Sequence, residues 1–215
     1  MFRCHKNRDG EKWRRQYEFY HGLFPEIPTV LSEDLISKYD IGLSSDDPIG
    51  NTCRKLSPVV LVDVRTMEER NVSKIPTSIC LAEFEKSLEA GDVSPEVDVI
   101  IYCTIGYRSG LEARRLRNKY LLRNVYSLDG IVAYTHQKGS KLVNGESTSP
   151  SFVVKETICC HTFASMWSNV GVGYTPVTFN LIRYLFESLK VAARSFSINL
   201  RHYCITCLRP CPRRG

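Results

Sequence analysis

Cys103 stands where an apolar run, Val99-Ile100-Ile101-Tyr102, gives way to Thr104-Ile105-Gly106-Tyr107-Arg108-Ser109-Gly110. The run reads as a buried β-strand and the residues after the cysteine read as a tight loop opening a helix, so the thiol falls at a strand's carboxyl end. There, inward-pointing backbone N–H groups and a helix N-terminus favour the thiolate, which is the nucleophilic form of cysteine. Arg108 adds a permanent cation. Gly106 suits the reversal, because a loop wrapped around an atom needs φ > 0, and Gly110 lets the helix's first turn pack closely. A lone Cys at a strand end is ordinarily a small buried hydrophobe. Gly106 and Arg108 turn the reading toward chemistry. Asp63, Arg65 and Glu69 form a second charged group, read as an internal salt bridge that staples the sheet to the following turn rather than as catalytic residues.

The elements that must hold this loop are set by hydrophobic patterning. Residues 59–64 are a near-continuous apolar run, suited to a strand buried on both faces of a parallel sheet. Residues 29–31, 78–81, 97–102 and 124–128 supply four further strands. Helices are expected at 12–23, at 32–39 with Ser32 as N-cap, at 83–90 and at 109–122. In the last of these, Leu111, Ala113, Leu116, Tyr120 and Leu121 are expected to face the sheet, and Arg114, Arg115, Arg117 and Lys119 to face water. The polar residues 44–58 read as a surface loop. Strands alternating with helices predict a layered α/β domain with a central, mostly parallel five-stranded sheet and helices on both faces. Ligands of such sheets bind beyond the strands' carboxyl ends, where Cys103 falls.

After Gly139 the pattern changes. Residues 141–143, 152–154 and 157–159 read as short strands or as an extended wrap, and 162–167 as a helical segment. Residues 179–194 carry a helical apolar stripe at 179, 182, 185, 186, 189, 192 and 193, expected to dock on the domain, with an anionic membrane surface as the alternative. Four units are expected: a leading helical segment (1–23), the α/β domain (24–144), an extension wrapping it (145–178), and an amphipathic helix with a basic, cysteine-rich tail (179–215).

The chain has 215 residues and a net charge of +6. From Arg183 onward seven basic residues meet one acid, Glu187, whereas the first 182 positions carry 22 of each sign. The body is neutral, so no nucleic-acid partner is expected, and any anionic surface concerns the tail. Nine scattered cysteines and the absence of a signal-type apolar run point to a reducing, cytoplasmic setting. The basic N-terminus leaves organelle targeting as the alternative. The longest stretch lacking charge, 157–182, contains Gly171, Gly173 and Pro176 and is a poor membrane span. Cys159-Cys160-His161 reads as structural, since neighbours on a strand face opposite ways. The spacing His202-x-Cys204-x2-Cys207-x3-Cys211 offers four ligands for zinc, and its cysteines lie near basic residues as lipidation sites do. Pro210 and Pro212 favour an unstructured tail instead, and no metal is expected.

The loop Cys103-Thr104-Ile105-Gly106-Tyr107-Arg108-Ser109 resembles the active-site loop of the rhodanese-like sulfurtransferase family. Leu61-Val62-Asp63-Val64-Arg65 followed by Glu69 is similar to that family's strand ending in Asp-x-Arg with a Glu four residues on. Leu128-Asp129-Gly130-Ile131-Val132-Ala133-Tyr134 resembles its closing segment. The likeness covers residues 24–144. Lys74-Ile75-Pro76-Thr77-Ser78 departs from the family's His-Ile-Pro-Gly-Ala.

The resemblance implies a single-domain sulfurtransferase with a C-terminal extension. Cys103 would take a sulfane sulfur from thiosulfate or a persulfide, hold it as a cysteine persulfide, and yield it to cyanide, a small thiol or a protein thiol, with no cofactor. Thr104, Ile105, Gly106, Tyr107, Arg108 and Ser109 would bind the substrate: Arg108 orienting an anionic donor and holding the loop, Ser109 bonding the sulfur, Ile105 and Tyr107 lining the mouth. His21, His136 and His161 are given no role. Phosphatases and arsenate reductases of the same architecture carry Cys-x5-Arg, one residue more than the Cys-x4-Arg here, and form the first alternative. The second is a non-catalytic interaction module.

Overall fold

A computed structural model describes residues 8–39, 59–94, 96–144 and 155–208, with side chains described from Lys12 to Tyr203. Five strands, β1 (Thr29–Val30), β2 (Val59–Asp63), β3 (Ile79–Cys80), β4 (Asp98–Tyr102) and β5 (Val125–Leu128), form one sheet in the order β1-β5-β4-β2-β3. Every pairing in it is parallel. β4 lies at the centre, in register with β2 (Val62 opposite Ile101) and β5 (Ile101 opposite Ser127).

Alternation along the strands divides two cores. Leu61, Ile100, Tyr102 and Leu128 pack with Leu35 and Ile36 of α2 (Ser32–Tyr39) and with Ile131 and Tyr134 of α6 (Ile131–Thr135). Val62, Val99, Ile101 and Val125 face the other way, onto Phe84 of α4 (Leu81–Ala90) and Leu111, Ala113 and Leu116 of α5 (Tyr107–Tyr120). A sheet covered on both faces explains why β2 and β4 are apolar at nearly every position.

Several expectations are corrected. Ser32 is not an N-cap: its hydroxyl and N–H both donate to Asp129, tying α2 to the end of β5. Helix α5 begins two residues earlier than expected, at Tyr107, and Leu121 lies past its end in a left-handed turn, 82% exposed. Helix α4 also starts earlier, at Leu81, because Cys80 and Glu83 make a reciprocal cap there.

Helix α1 (Arg8–His21) and α3 (Met67–Val72) precede and follow the first strands. Beyond α6 the chain forms the pair β6 (Leu142–Asn144) and β7 (Lys155–Thr157), then β8 (Cys159–His161), one 3-10 turn (Ser165–Trp167) and β9 (Thr175–Val177). Cys159 is half-buried and Cys160 fully buried, and burial pushes the Cys160 thiol up to about 12. The final helix, α7 (Leu181–Leu208), carries the chain well past residue 194, so the tail is helical as far as Leu208.

Its docked face is not the expected stripe. Glu187, Ser195 and Ile198 turn inward against the body, while Ile182, Leu185, Phe186 and Leu189 point to solvent. The inward face is held by polar partners the apolar periodicity could not show: Arg194 with Glu112, and Asn199 with Arg114. The expected loop at 44–58, the strand at 152–154 and positions Pro210, Cys211 and Pro212 lie outside the described residues. No helix among the described residues is long and apolar enough to cross a membrane.

Candidate active site

The loop after β4 is clamped from behind. The Ile131 N–H donates to the Cys103 carbonyl (2.9 Å) and the Val132 N–H to the Thr104 carbonyl (3.3 Å), so the start of α6 fixes the path of the chain around the thiol. Gly130 permits this approach. It sits at φ +112°, and a Cβ there would lie 2.5 Å from the Thr104 carbonyl oxygen. Gly106, at φ +98°, reverses the chain and aims its N–H at the Cys103 Sγ, 3.3 Å away.

Ser109 Oγ lies 3.7 Å from the sulfur, 3.0 Å from the Gly106 carbonyl oxygen and 2.9 Å from Ser127 Oγ. Its one proton serves one of these at a time. The loop sequence thus brings Cys103, Gly106 and Ser109 together, and α5 begins four residues after the thiol with its N-terminus beside it.

Arg108 does not reach into open space. Its guanidinium makes a bidentate pair with Glu69 (2.8 and 2.7 Å) and also donates to Thr104 Oγ1 at 3.0 Å. The Phe163 ring covers it, 4.9 Å from ring centre to the guanidinium carbon. Glu69 is fully buried and also accepts from the Thr66 N–H and hydroxyl, at 3.0 and 3.1 Å. Burial alone would raise its carboxyl, but Arg108 beside it, with help from Arg65 and the Thr66 N–H, brings it down to about 2. Asp63 and Arg65 form a separate buried ion pair at 2.7 Å, with Arg65 also donating to the Ser73 carbonyl at 2.6 Å. The three charged residues of this stretch therefore divide: Asp63 and Arg65 staple β2 to the chain after α3, and Glu69 holds the cysteine loop through Arg108.

A cavity of about 200 Å³ opens onto the thiol. Cys103, itself 1% exposed, lines it together with Thr104, Ile105, Tyr107 and Arg108. Gly106 and Ser109 lie behind the sulfur instead. The remaining wall comes from outside the loop: Tyr20 of α1, Phe163 and Trp167 of the segment after β8, and Ser188 and Val191 of α7. Tyr107 ties wall to loop, its hydroxyl 2.9 Å from Ser195 Oγ.

None of these five wall residues stands out in the sequence as part of the site. Trp13, Tyr17, Phe19 and Tyr20 on α1 signal a docked helix, and nothing in the spacing of Phe163, Trp167 or Val191 says where they dock. His21, His136 and His161 do not line the cavity. Among the described residues no group of three or more His, Cys, Asp or Glu side chains is gathered as a metal site would require.

Residues 51–135 match the family described as the rhodanese-like domain, a stretch that holds β2 to β5 of the parallel sheet and the cysteine loop at the carboxyl end of the central strand. No curated protein matches the chain. Among solved structures, it is similar to a thiosulfate sulfurtransferase from Pseudomonas aeruginosa, with 19% identity and a TM-score of 0.45 over 64% of this chain and 24% of that one. A rhodanese-like domain from Anabaena sp. aligns with 17% identity and a TM-score of 0.40, over 59% of this chain and 86% of the other. A Rhodopseudomonas palustris protein of unknown function, described as a possible tyrosine phosphatase, aligns with 22% identity and a TM-score of 0.35, over 62% and 93% of the two chains. The chain spans about a quarter of the length of the Pseudomonas enzyme.

Proposed function

We propose that the protein is a sulfurtransferase whose nucleophile is Cys103. The observation that carries this reading is the Gly106 N–H on the Cys103 sulfur, in a Cys-x4-Arg loop one residue shorter than that of the phosphatase class. The thiolate attacks the outer sulfur of a donor such as thiosulfate or a persulfide. A new S–S bond forms, the donor's bond to that sulfur breaks, and its electron pair leaves with the remainder. The loop amides stabilise the resulting persulfide anion. Cyanide, a small thiol or a protein thiol then attacks the outer sulfur and returns the Cys103 thiolate, so no external oxidant or reductant enters the cycle.

Arg108 keeps the loop closed by pairing with Glu69, and Thr104, Ile105 and Tyr107 form the part of the mouth that meets the donor. A reducing, cytoplasmic setting suits a free thiolate, and Cys80, Cys103, Cys159 and Cys160 are all unpaired.

Intact-mass analysis after incubation with a panel of donors, namely thiosulfate, inorganic polysulfide and an aryl thiosulfonate, tests the reading. One added sulfur atom, removed by cyanide and missing from Cys103→Ser, is expected with at least one donor. No added sulfur from any of them, together with hydrolysis of a phosphomonoester, would assign the site to the phosphatase class instead.

A further inference from the structure

Resting on the sulfur-transfer reading, we infer that the donor is an organic sulfane-sulfur compound with an aromatic or bulky apolar body and no more than one negative charge. Rings dominate the cavity outside the loop: Tyr20, Phe163 and Trp167, with Val191 beside them. Among the described residues, the one cation that lines it, Arg108, is already neutralised by Glu69 and capped by Phe163. An inorganic dianion entering here would shed water against aromatic carbon and meet no uncommitted counter-charge, which is costly. A ring would exchange water for well-matched apolar surface. The cavity, about 200 Å³, falls below the ~300–1,000 Å³ of drug-sized sites and matches one substituted ring with its reacting group.

The chemistry balances with a thiosulfonate, R–SO2–S⁻. The Cys103 thiolate forms a bond to the terminal sulfur, the S–S bond to the sulfonyl breaks, and the pair leaves with R–SO2⁻ as sulfinate.

The test compares 4-methylbenzenethiosulfonate with methanethiosulfonate, which carry the same charge and reacting group, and both with thiosulfate. The aryl donor is expected to exceed the methyl donor in kcat/KM by at least about tenfold, the scale of burying one ring, with thiosulfate below both. Trp167→Ala should bring the aryl-to-methyl ratio toward one. Thiosulfate or methanethiosulfonate equal to the aryl donor would overturn the inference, as would an aryl preference untouched by Trp167→Ala. Absence of sulfur on Cys103 with every donor would instead refute the sulfur-transfer reading beneath it.

A different observation concerns the outer face of α7. Ile182, Leu185, Phe186, Leu189, Phe196 and Leu200 fall on one arc of this helix and are each more than half exposed. Lys190 and Arg201 flank that arc on one side, and Arg209, Arg213 and Arg214 come after it in the sequence with no acid among them. An apolar arc edged by cations has the composition of a helix lying in the interface of an anionic bilayer.

We propose that α7 docks the protein on an anionic lipid surface, its axis parallel to the membrane. Sedimentation of the full chain with phosphatidylcholine vesicles, with and without phosphatidylserine, tests it. Binding is expected with phosphatidylserine, weakened by salt, and reduced at least about tenfold by the double change Leu185→Glu and Leu189→Glu. Light scattering on the same protein supplies the opposing outcome. A stable dimer that the double change splits, or failure to sediment with anionic vesicles at low salt, would overturn the proposal.

Discussion

Replacing Glu69 by Gln keeps the shape of the side chain and removes the charge that Arg108 is folded against. The Glu69 carboxyl lies at about 2 in the folded protein against an ordinary 4.5. That difference corresponds to about 3 kcal/mol of folding stability at neutral pH, close to the ~3–5 kcal/mol typical of stranding one partner of a buried ion pair. The folded carboxyl holds its proton less tightly than the unfolded one. The contribution is therefore complete above pH 4.5 and is lost as pH falls toward 2. Urea unfolding of wild type and Glu69→Gln at pH 7 and at pH 3 should show a stability gap that narrows by about 2 kcal/mol at the lower pH. The same variant leaves Arg108 an uncompensated cation at the cavity wall, so thiosulfate should gain on the aryl thiosulfonate as a donor. A gap below ~1 kcal/mol at pH 7, or one that stays constant with pH, would refute the claim that this pair holds the loop.

Asp129 has the opposite sign: burial raises it from 3.8 to about 7 despite the Ser32 hydrogen bonds, so the wild type loses up to about 4 kcal/mol as pH rises between those values. Asp129→Asn, which still accepts from Ser32, should match wild type near pH 4 and melt higher at pH 8; a lower melting temperature at pH 8 would contradict this. Gly130→Ala would drive a Cβ into the Thr104 carbonyl and should cost about 2–4 kcal/mol in denaturant unfolding, with sulfur transfer slowed more than the folded fraction accounts for. Thr77 adopts φ +64° on an exposed turn, where a β-branched side chain is strained, so Thr77→Gly should raise stability by about 1 kcal/mol in the same assay.

Much of the domain is legible in the sequence because its signals are local. Apolar runs at 59–64 and 97–102 mark strands covered on both faces, and Cys103, Gly106 and Gly110 fall at a strand-to-helix junction that a short stretch of chain specifies by itself. Thr77 belongs with these: it occupies the place where the resembled family has Gly, and the backbone there takes the left-handed conformation regardless. The features that escape such a reading depend on contacts far apart in sequence. Glu69 accompanies Asp63 and Arg65 in the chain yet pairs with Arg108, 39 residues on, because α3 turns its carboxylate under the loop. The stripe on α7 misleads for a related reason. Periodicity locates an apolar face but not the surface it meets, and here the inward face is decided by Glu187, Ser195 and the pairing of Arg194 with Glu112.

The division of the cavity bears on how reactivity and selectivity are assigned. Everything that touches the sulfur from behind, the Gly106 N–H, Ser109 and the start of α5, lies within the matched residues 51–135. The part of the aromatic and aliphatic wall that comes from beyond the loop, Tyr20, Phe163, Trp167 and Val191, lies outside them. With Arg108 committed to Glu69, the Gly106 N–H, the Ser109 hydroxyl and the helix dipole are left as the polar support for the persulfide anion of the proposed cycle. Such support strengthens as water is excluded. On the sulfur-transfer reading proposed above, the outer walls would do two things at once: they would choose the donor's body, and by keeping water from the sulfur they would increase the hold of the Gly106 N–H on the charge. Thinning the wall, as Trp167→Ala does, should for that reason lower persulfide lifetime as well as donor preference, even though Trp167 is remote from the loop in sequence.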